Sequence, residues 1–383
     1  MAFLRNDAIN RVNLHSGVQA LAQGAGHVFV LVFLLKAGIS VPLALLAEAG
    51  IVAGRFALRP LVLPLARRFG LKPLLIAGVV GLAVPYPFLA HVDGLGWPLA
   101  AVVAAFSVGE VFYWLAYNAY YAAVGDPEHR GHQVGLREAL VSLANIAAPL
   151  LGAWGLAAAG PHWTFALVGL VQALSALPLL GAPNVPVQAR VPGAFRAATP
   201  GMLMIAMDGW LDASFFFVWQ VALFVALGES FRAYGGALAL AGLVGAACAP
   251  LLGRYVDRGH ARRAVLVAYA VIAGLVLMRA ASLTSPWLAI TANALSALAM
   301  PLLLPSLASA IYNLSKASPC PFRFAMATEA GWDIGCFTAL LTAAALLASG
   351  ASLAVPLLMG LPGVAMGAWL LWRQFPRPPP AAA

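Results

Sequence analysis

Charge is the scarcest property of this chain. Of its 383 residues only 9% are charged and 62% are hydrophobic, whereas a soluble domain carries about 25% charged residues. With a mean hydropathy of +0.90 the chain cannot cover a water-facing surface, which excludes a soluble globular protein. Cysteine is nearly absent too. The three present, Cys248, Cys320 and Cys336, form no C-x-x-C pair or cysteine–histidine cluster, so free thiols are expected rather than disulfides or zinc. No gap between apolar runs reaches the roughly 50 residues that a folded soluble module needs. A phosphate-cradling glycine loop, a nucleophile elbow and a metal-hydrolase motif are all missing, so neither enzyme activity nor a cofactor is expected. Arg5 and Arg11 precede an apolar run as in a signal peptide, but that run lacks a small-x-small cleavage site and is read as a retained first helix.

What the chain does have is apolar length. A helix needs about 20 apolar residues to cross about 30 Å of hydrocarbon. Cutting at glycine, proline and charge clusters predicts twelve spans: 14–35, 41–66, 73–92, 97–124, 137–158, 163–182, 201–227, 233–255, 264–283, 287–314, 324–349 and 352–372. The net charge of +9 lies in the short connections, where it acts as a topology signal and not as a nucleic-acid surface. With the N-terminus in the cytoplasm, Arg5, Arg11, Arg67, Arg68, Lys72, Arg130, Arg137, Arg190, Arg196, Arg254, Arg258, Arg262, Arg263, Lys316, Arg323, Arg373 and Arg377 fall inside. Only Lys36 and Arg232 fall outside. Both termini are therefore expected in the cytoplasm. A composition rich in Ala, Gly and Arg and poor in Lys suggests a GC-rich bacterial genome, and the expected location is the bacterial inner membrane.

The longest connection, APNVPVQARVPGAFRAATP from Ala182 to Pro200, is proline-rich and lies midway. It divides the chain into a six-helix bundle over 1–182, a cytoplasmic linker over 183–200 and a second bundle over 201–383 with a short tail. A shift of about 190 residues lays Arg67-Arg68 on Asp257-Arg258, Tyr120 near Tyr312, and Arg137-Glu138-Ala139 on Thr328-Glu329-Ala330, a parallel repeat. After the eighth span the chain reads Gly253-Arg-Tyr-Val-Asp257-Arg258-Gly-His-Ala-Arg262-Arg263. This resembles the G-x-x-x-D-R-x-G-R-R signature of the major facilitator superfamily. The first-half counterpart keeps Arg67, Arg68 and Gly70 but has Arg67 where the signature aspartate belongs. Ala148-Pro149-Leu-Leu-Gly152 partly matches the glycine-proline motif of antiporter members. The resemblance implies an all-α membrane protein with two pseudo-symmetric six-helix bundles, a monomer that moves a small molecule by rocking its halves about a central site.

An ionisable side chain inside a bilayer costs at least about 2.5 kcal/mol to insert and is by default a functional candidate. At 1.5 Å per residue, Asp208 and Asp212 lie roughly 10 to 18 Å into the seventh helix, share a face, and are matched in depth by Glu110 in the fourth. The resemblance places helices one, four, seven and ten around the cavity, which aims these carboxyls at the substrate path. A carboxyl in a low-dielectric cavity can take up and release a proton near neutral pH. The same groups could instead form a polar lock between helices. Glu48, Arg55 and Arg59 fall on one stripe of the second helix, and Glu329 and Asp333 are four apart on the eleventh. The resemblance packs these two helices across the interface between halves. The pairs Arg59–Glu329 and Arg55–Asp333 are then expected as a cytoplasmic gate. Glu138 is expected near Arg254, Asp257 and Arg258, and Arg279 is expected to snorkel near the outer leaflet.

Tyr113, Tyr117 and Tyr121 repeat every four residues after Glu110, and Trp210 lies between the two aspartates. Such faces suit an organic cation held by cation–π contact, or serve as packing and an interfacial belt. The expected function is a proton-coupled secondary transporter of a small amphipathic or cationic solute, with export favoured. Uptake of a metabolite or a metal ion is an alternative; Met202, Met204 and Met207 raise the metal. A further alternative is a non-transporting membrane assembly factor that kept the fold.

Overall fold

Every predicted apolar run becomes a helix. The computed structural model describes residues 6–126, 130–188, 191–256 and 261–375, setting aside the side chains of 130–131, 249–256, 261–262 and 300. Among these residues there is no β-strand, and twelve helical spans have membrane length. They are α1 (Asp7–Lys36), α2 (Val41–Phe69), α3 (Leu71–Leu89), α4 (Trp97–Val124), α5 (Arg130–Ala158) and α6 (Gly160–Leu180), then α7 (Thr199–Ala226), α8 (Phe231–Val256), α9 (Ala261–Ala281), α10 (Pro286–Ala317), α11 (Pro321–Ala348) and α12 (Ala354–Arg373). The chain is a multi-pass membrane protein.

Two helices start seven residues earlier than hydropathy predicts, because their first turns are polar. In α1 the Asn6 side chain caps the helix by accepting from the Ile9 amide at 3.1 Å, and the polar residues that follow, Asn13 and His15, are buried inside the protein. In α5 the early start at Arg130 likewise brings buried Gln133 into the helix.

Helix packing repeats between the halves. In the first half α1 lies on α5, and in the second α7 lies on α11; across the halves α2 packs on α11 and α5 on α8. Advancing every helix by six converts each contact into another of the same set. This is the geometry expected of a parallel repeat.

An even number of crossings puts both described ends and the central linker on one face, here termed the linker face. There Asn6 Nδ2 donates to the Val124 carbonyl at 2.9 Å, tying α1 to the end of α4. The linker is strapped down. Lys72 Nζ donates to the carbonyls of Leu180 and Ala182 at 2.8 Å, and Asn184 Nδ2 donates to Phe69 O at 2.8 Å. Gly70 makes the α2–α3 turn at φ +82, a left-handed conformation that suits glycine. On the opposite face the halves also touch. Tyr234 donates its hydroxyl to Val28 O at 3.2 Å, its ring stands edge-on to Phe29 at 5.6 Å, and Lys36 pairs with Glu229 at 3.4 Å.

Helix continuity is broken at defined points. α1 changes to a tight turn over His27–Phe29 after Gly26, and α7 contains a π-helical turn over Ala213–Val218 immediately after Asp212. Such turns inside long helices frequently mark functional positions.

Candidate functional site

Arg55, Glu110, Asp212 and Asp333 each stand at the middle of their span, in α2, α4, α7 and α11. Spans of similar length that cross one bilayer bring their midpoints to one plane; Arg55, Glu110 and Asp333 meet there directly, and Asp212 joins them through Trp332. The α7–α11 contact that helps to assemble them depends on small residues: where Gly209, Gly331 and Gly335 lie, an added Cβ would collide with the backbone of Trp332, Met202 and Ala206 respectively. Glycine at such positions lets helix backbones approach closely.

Asp333 is the hub. Arg55 Nε donates to Asp333 Oδ1 at 2.6 Å, and Arg59 Nη2 pairs with Asp333 Oδ2. Arg55 Nη1 also reaches Glu110 Oε2 at 3.3 Å. All four side chains are buried, Asp333 at 1% exposure. The guanidinium carbon of Arg55 lies 4.5 Å from the ring centre of Trp332, and Trp332 Nε1 donates to Asp212 Oδ2 at 2.9 Å. One connected network thus links α4, α2, α11 and α7, crossing the interface between halves.

The expected pairing of Arg59 with Glu329 is replaced. Both arginines converge on Asp333, and Glu329, one turn nearer the linker face, accepts from Asn118 Nδ2 of α4 at 3.3 Å. An arginine side chain reaches as far as the 5.4 Å pitch of a helix, so matching depths to within a turn cannot choose between carboxyls. The separately expected Glu110 cavity and α2–α11 gate form one cluster. Asp208, half-buried one turn from Asp212, and buried Glu48 make no hydrogen bond or ion pair among the described residues. Of the carboxyls within about two turns of the span middles (Glu48, Glu110, Asp208, Asp212, Glu329 and Asp333), only Glu110 and Asp333 therefore contact the two guanidiniums.

The tyrosines of α4 turn elsewhere. Tyr113 and Tyr117 stack at 5.5 Å against α1, where Tyr113 OH meets His15 Nε2 at 3.2 Å and Tyr117 OH meets Ser16 Oγ at 2.8 Å. His15 Nδ1 approaches the Ser175 carbonyl of α6 at 2.8 Å. This buried polar cluster was not anticipated from sequence, since the predicted first span began at its edge. Its sequence signal was the polar His15-Ser16 pair at the start of an apolar run and the four-residue spacing of the tyrosines, neither of which says that the two face each other. Trp210 turns from the carboxyls toward α12, donating Nε1 to Met359 O at 2.8 Å. His27 rests edge-on against Phe106 at 5.2 Å. Arg279 does not snorkel: it is 4% exposed, enclosed beneath α7.

Of the signature residues, Arg67, Arg68 and Arg263 are exposed on the linker face. Asp257 and Arg258, with the side chains from Gly253 to Arg262, lie outside the described residues. Glu138, expected near them, hydrogen-bonds Arg137 Nε at 3.0 Å. No group of three or more His, Cys, Asp or Glu residues among the described ones could hold a metal ion. An apolar cleft of about 680 Å³ between α2 and α4, lined by Leu46, Gly50, Gly54, Leu99 and Val103, contains none of the network carboxyls.

Comparison with known proteins agrees with this architecture. The family model described as Major Facilitator Superfamily matches residues 18–223. The crystal structure of the POT family transporter PepTSo superposes with a TM-score of 0.70 at 12% identity, covering 96% of this chain and 97% of that one. A POT family transporter in complex with 5-aminolevulinic acid gives a TM-score of 0.71 at 10% identity over 95% of each chain. An auto-inhibited POT family peptide transporter gives 0.70 at 13% identity over 98% of each. A search of the curated proteins by sequence finds no match.

Proposed function

Because this chain belongs to the major facilitator superfamily, we propose that it is a proton-coupled secondary transporter whose coupling groups are the midplane carboxyls, with Asp212, Asp208 and Glu110 foremost. The observation that carries this reading is the imbalance of charge around the midplane: Glu110, Asp212 and Asp333, with Asp208 one turn away, against Arg55 and Arg59. Buried charge is costly unless paired, and Arg55 and Arg59 engage only Asp333 and Glu110. Glu48, Asp208 and Asp212 are then left to be matched by protons or by a cationic solute. Asp212 is the best placed, because its hydrogen bond from Trp332 ties it to the arginines that hold α2 to α11. A change of charge on Asp212 is thereby felt at the contact that opens and closes as the halves rock.

The solute suited to this site is small and organic, with a cationic or amine group for Asp208 and Asp212 and an apolar body. Export is the proposed direction, and the protein is proposed to act as a monomer. Arg55 and Arg59 with Asp333, and Glu329 with Asn118, form the gate; they separate as the site opens toward the linker face. That face is proposed to be cytoplasmic in a bacterial inner membrane. It carries Arg67, Arg68, Lys72, Arg196, Arg263, Lys316, Arg323 and Arg373, against Lys36 and Arg232 opposite, as the positive-inside rule requires.

The test is proton release from purified protein in weakly buffered detergent on addition of a panel of amphipathic amines, for wild type, Asp212→Asn and Glu110→Gln. About one proton released per wild-type molecule, and none from Asp212→Asn, supports coupling through this network. Folded wild type that responds to no compound removes the proposal.

A further inference from the structure

Arg279 is a deeply buried cation that the charge network does not use. It lies in α9, with no carboxylate at ion-pair distance among the described residues, and its Nε makes no hydrogen bond. What it touches is the π-helical turn of α7. Arg279 Nη1 donates to Phe215 O at 2.5 Å, inside the segment Ala213–Val218. Its guanidinium carbon lies 3.8 Å from the ring centre of Phe215 and 4.6 Å from that of Trp219. Trp219 is itself anchored, donating Nε1 to Asn293 Oδ1 of α10 at 2.9 Å, while Asn293 Nδ2 donates to Ala237 O of α8 at 2.9 Å.

These contacts have a common target. A π turn carries more residues than an α turn, so converting it to regular α-helix would rotate one side of α7 against the other by about 100° per residue removed. On one side of the turn Asp212 meets Trp332; on the other Trp219 meets Asn293. Both contacts can form together only while the turn persists. Arginine suits the task, because a flat guanidinium stacks on rings while its edge donates to a carbonyl, which a lysine ammonium cannot do equally well.

We infer that Arg279 is a positioning residue of the carboxyl site: it clamps the π turn of α7 and so holds Asp212 against Trp332. The functional part of this inference rests on the proposed role of Asp212, whereas the clamp does not.

The experiment compares full-length wild type, Arg279→Leu and Arg279→Lys in detergent by backbone hydrogen exchange and by amine-triggered proton release. In Arg279→Leu, exchange over residues 213–220 is expected to rise about tenfold, the response to losing one charge-assisted hydrogen bond, with α10 unchanged. Proton release should fall to the level of Asp212→Asn. Arg279→Lys, which keeps a charged donor, should regain most of the protection and part of the release. Folded Arg279→Leu with wild-type exchange overturns the clamp, and faster exchange with wild-type proton release overturns the positioning role. If Arg279→Leu does not fold, the same two measurements on Arg279→Gln decide the clamp and the positioning role in the same way. A wild type that releases no proton defeats the functional reading of Asp212 instead, and the exchange difference still decides the clamp.

Discussion

Asp333 is shared by Arg55 and Arg59, and that sharing sets the energetic weight of the residue. Removing its charge leaves Arg59 with no ion-pair partner and Arg55 with Glu110 alone among the described residues, and breaking a buried pair typically costs about 3–5 kcal/mol. Asp333→Asn is therefore expected to lower the detergent thermal midpoint sharply. Glu329→Gln should stay within about 0.5 kcal/mol of wild type, since Glu329 is half-buried with Asn118 as its partner. Thermal unfolding of both variants checks the order; an equal or smaller loss for Asp333→Asn contradicts the shared bridge. Sequence placed these residues within one turn of each other in depth. It could not assign partners, because arginine reach equals a helical turn.

At the scale of elements, the network depends on α7 and α11 lying nearly backbone to backbone. Gly335 has the Ala206 carbonyl where a Cβ would go, whereas the space beside Gly236 of α8 is open. Gly335→Ala should destabilise by about 1–3 kcal/mol, the usual cost of overpacking. Gly236→Ala should leave stability unchanged or slightly raised, because alanine is the better helix former. Melting curves of the two variants distinguish close packing from a general intolerance of added methyls. The glycines at four-residue spacing in α11 are visible in the sequence, but the helix they face is not. The π turn of α7 is also invisible there, since the arginine that supports it belongs to α9.

At the scale of the whole molecule, the halves are joined at the midplane by Arg55, Arg59 and Asp333, and on the face opposite the linker by Tyr234–Val28 and Lys36–Glu229. The exposed Lys36–Glu229 pair contributes little stability by itself, at most about 1 kcal/mol. Its value is as a handle on motion. Lys36→Cys with Glu229→Cys, joined by a short cleavable thiol crosslinker, should stop solute flux in vesicles, and cleavage should restore it. Undiminished flux in fully crosslinked protein would show that this face need not open. The number of helices, their alternating direction, the repeat and the depths of the charges in α2, α4, α7 and α11 were legible in the sequence, whereas the early start of α5 at Arg130 puts Glu138 about two turns deeper than its predicted span did. The legible properties follow from hydropathy, length and position along single helices. Only the tertiary structure decided that Glu110 joins the α2–α11 bridge, that Trp332 connects Arg55 to Asp212, that Tyr113 and Tyr117 face His15 and Ser16, and that Arg279 is enclosed. Each of these depends on the rotation of one helix against another, which packing between distant segments sets.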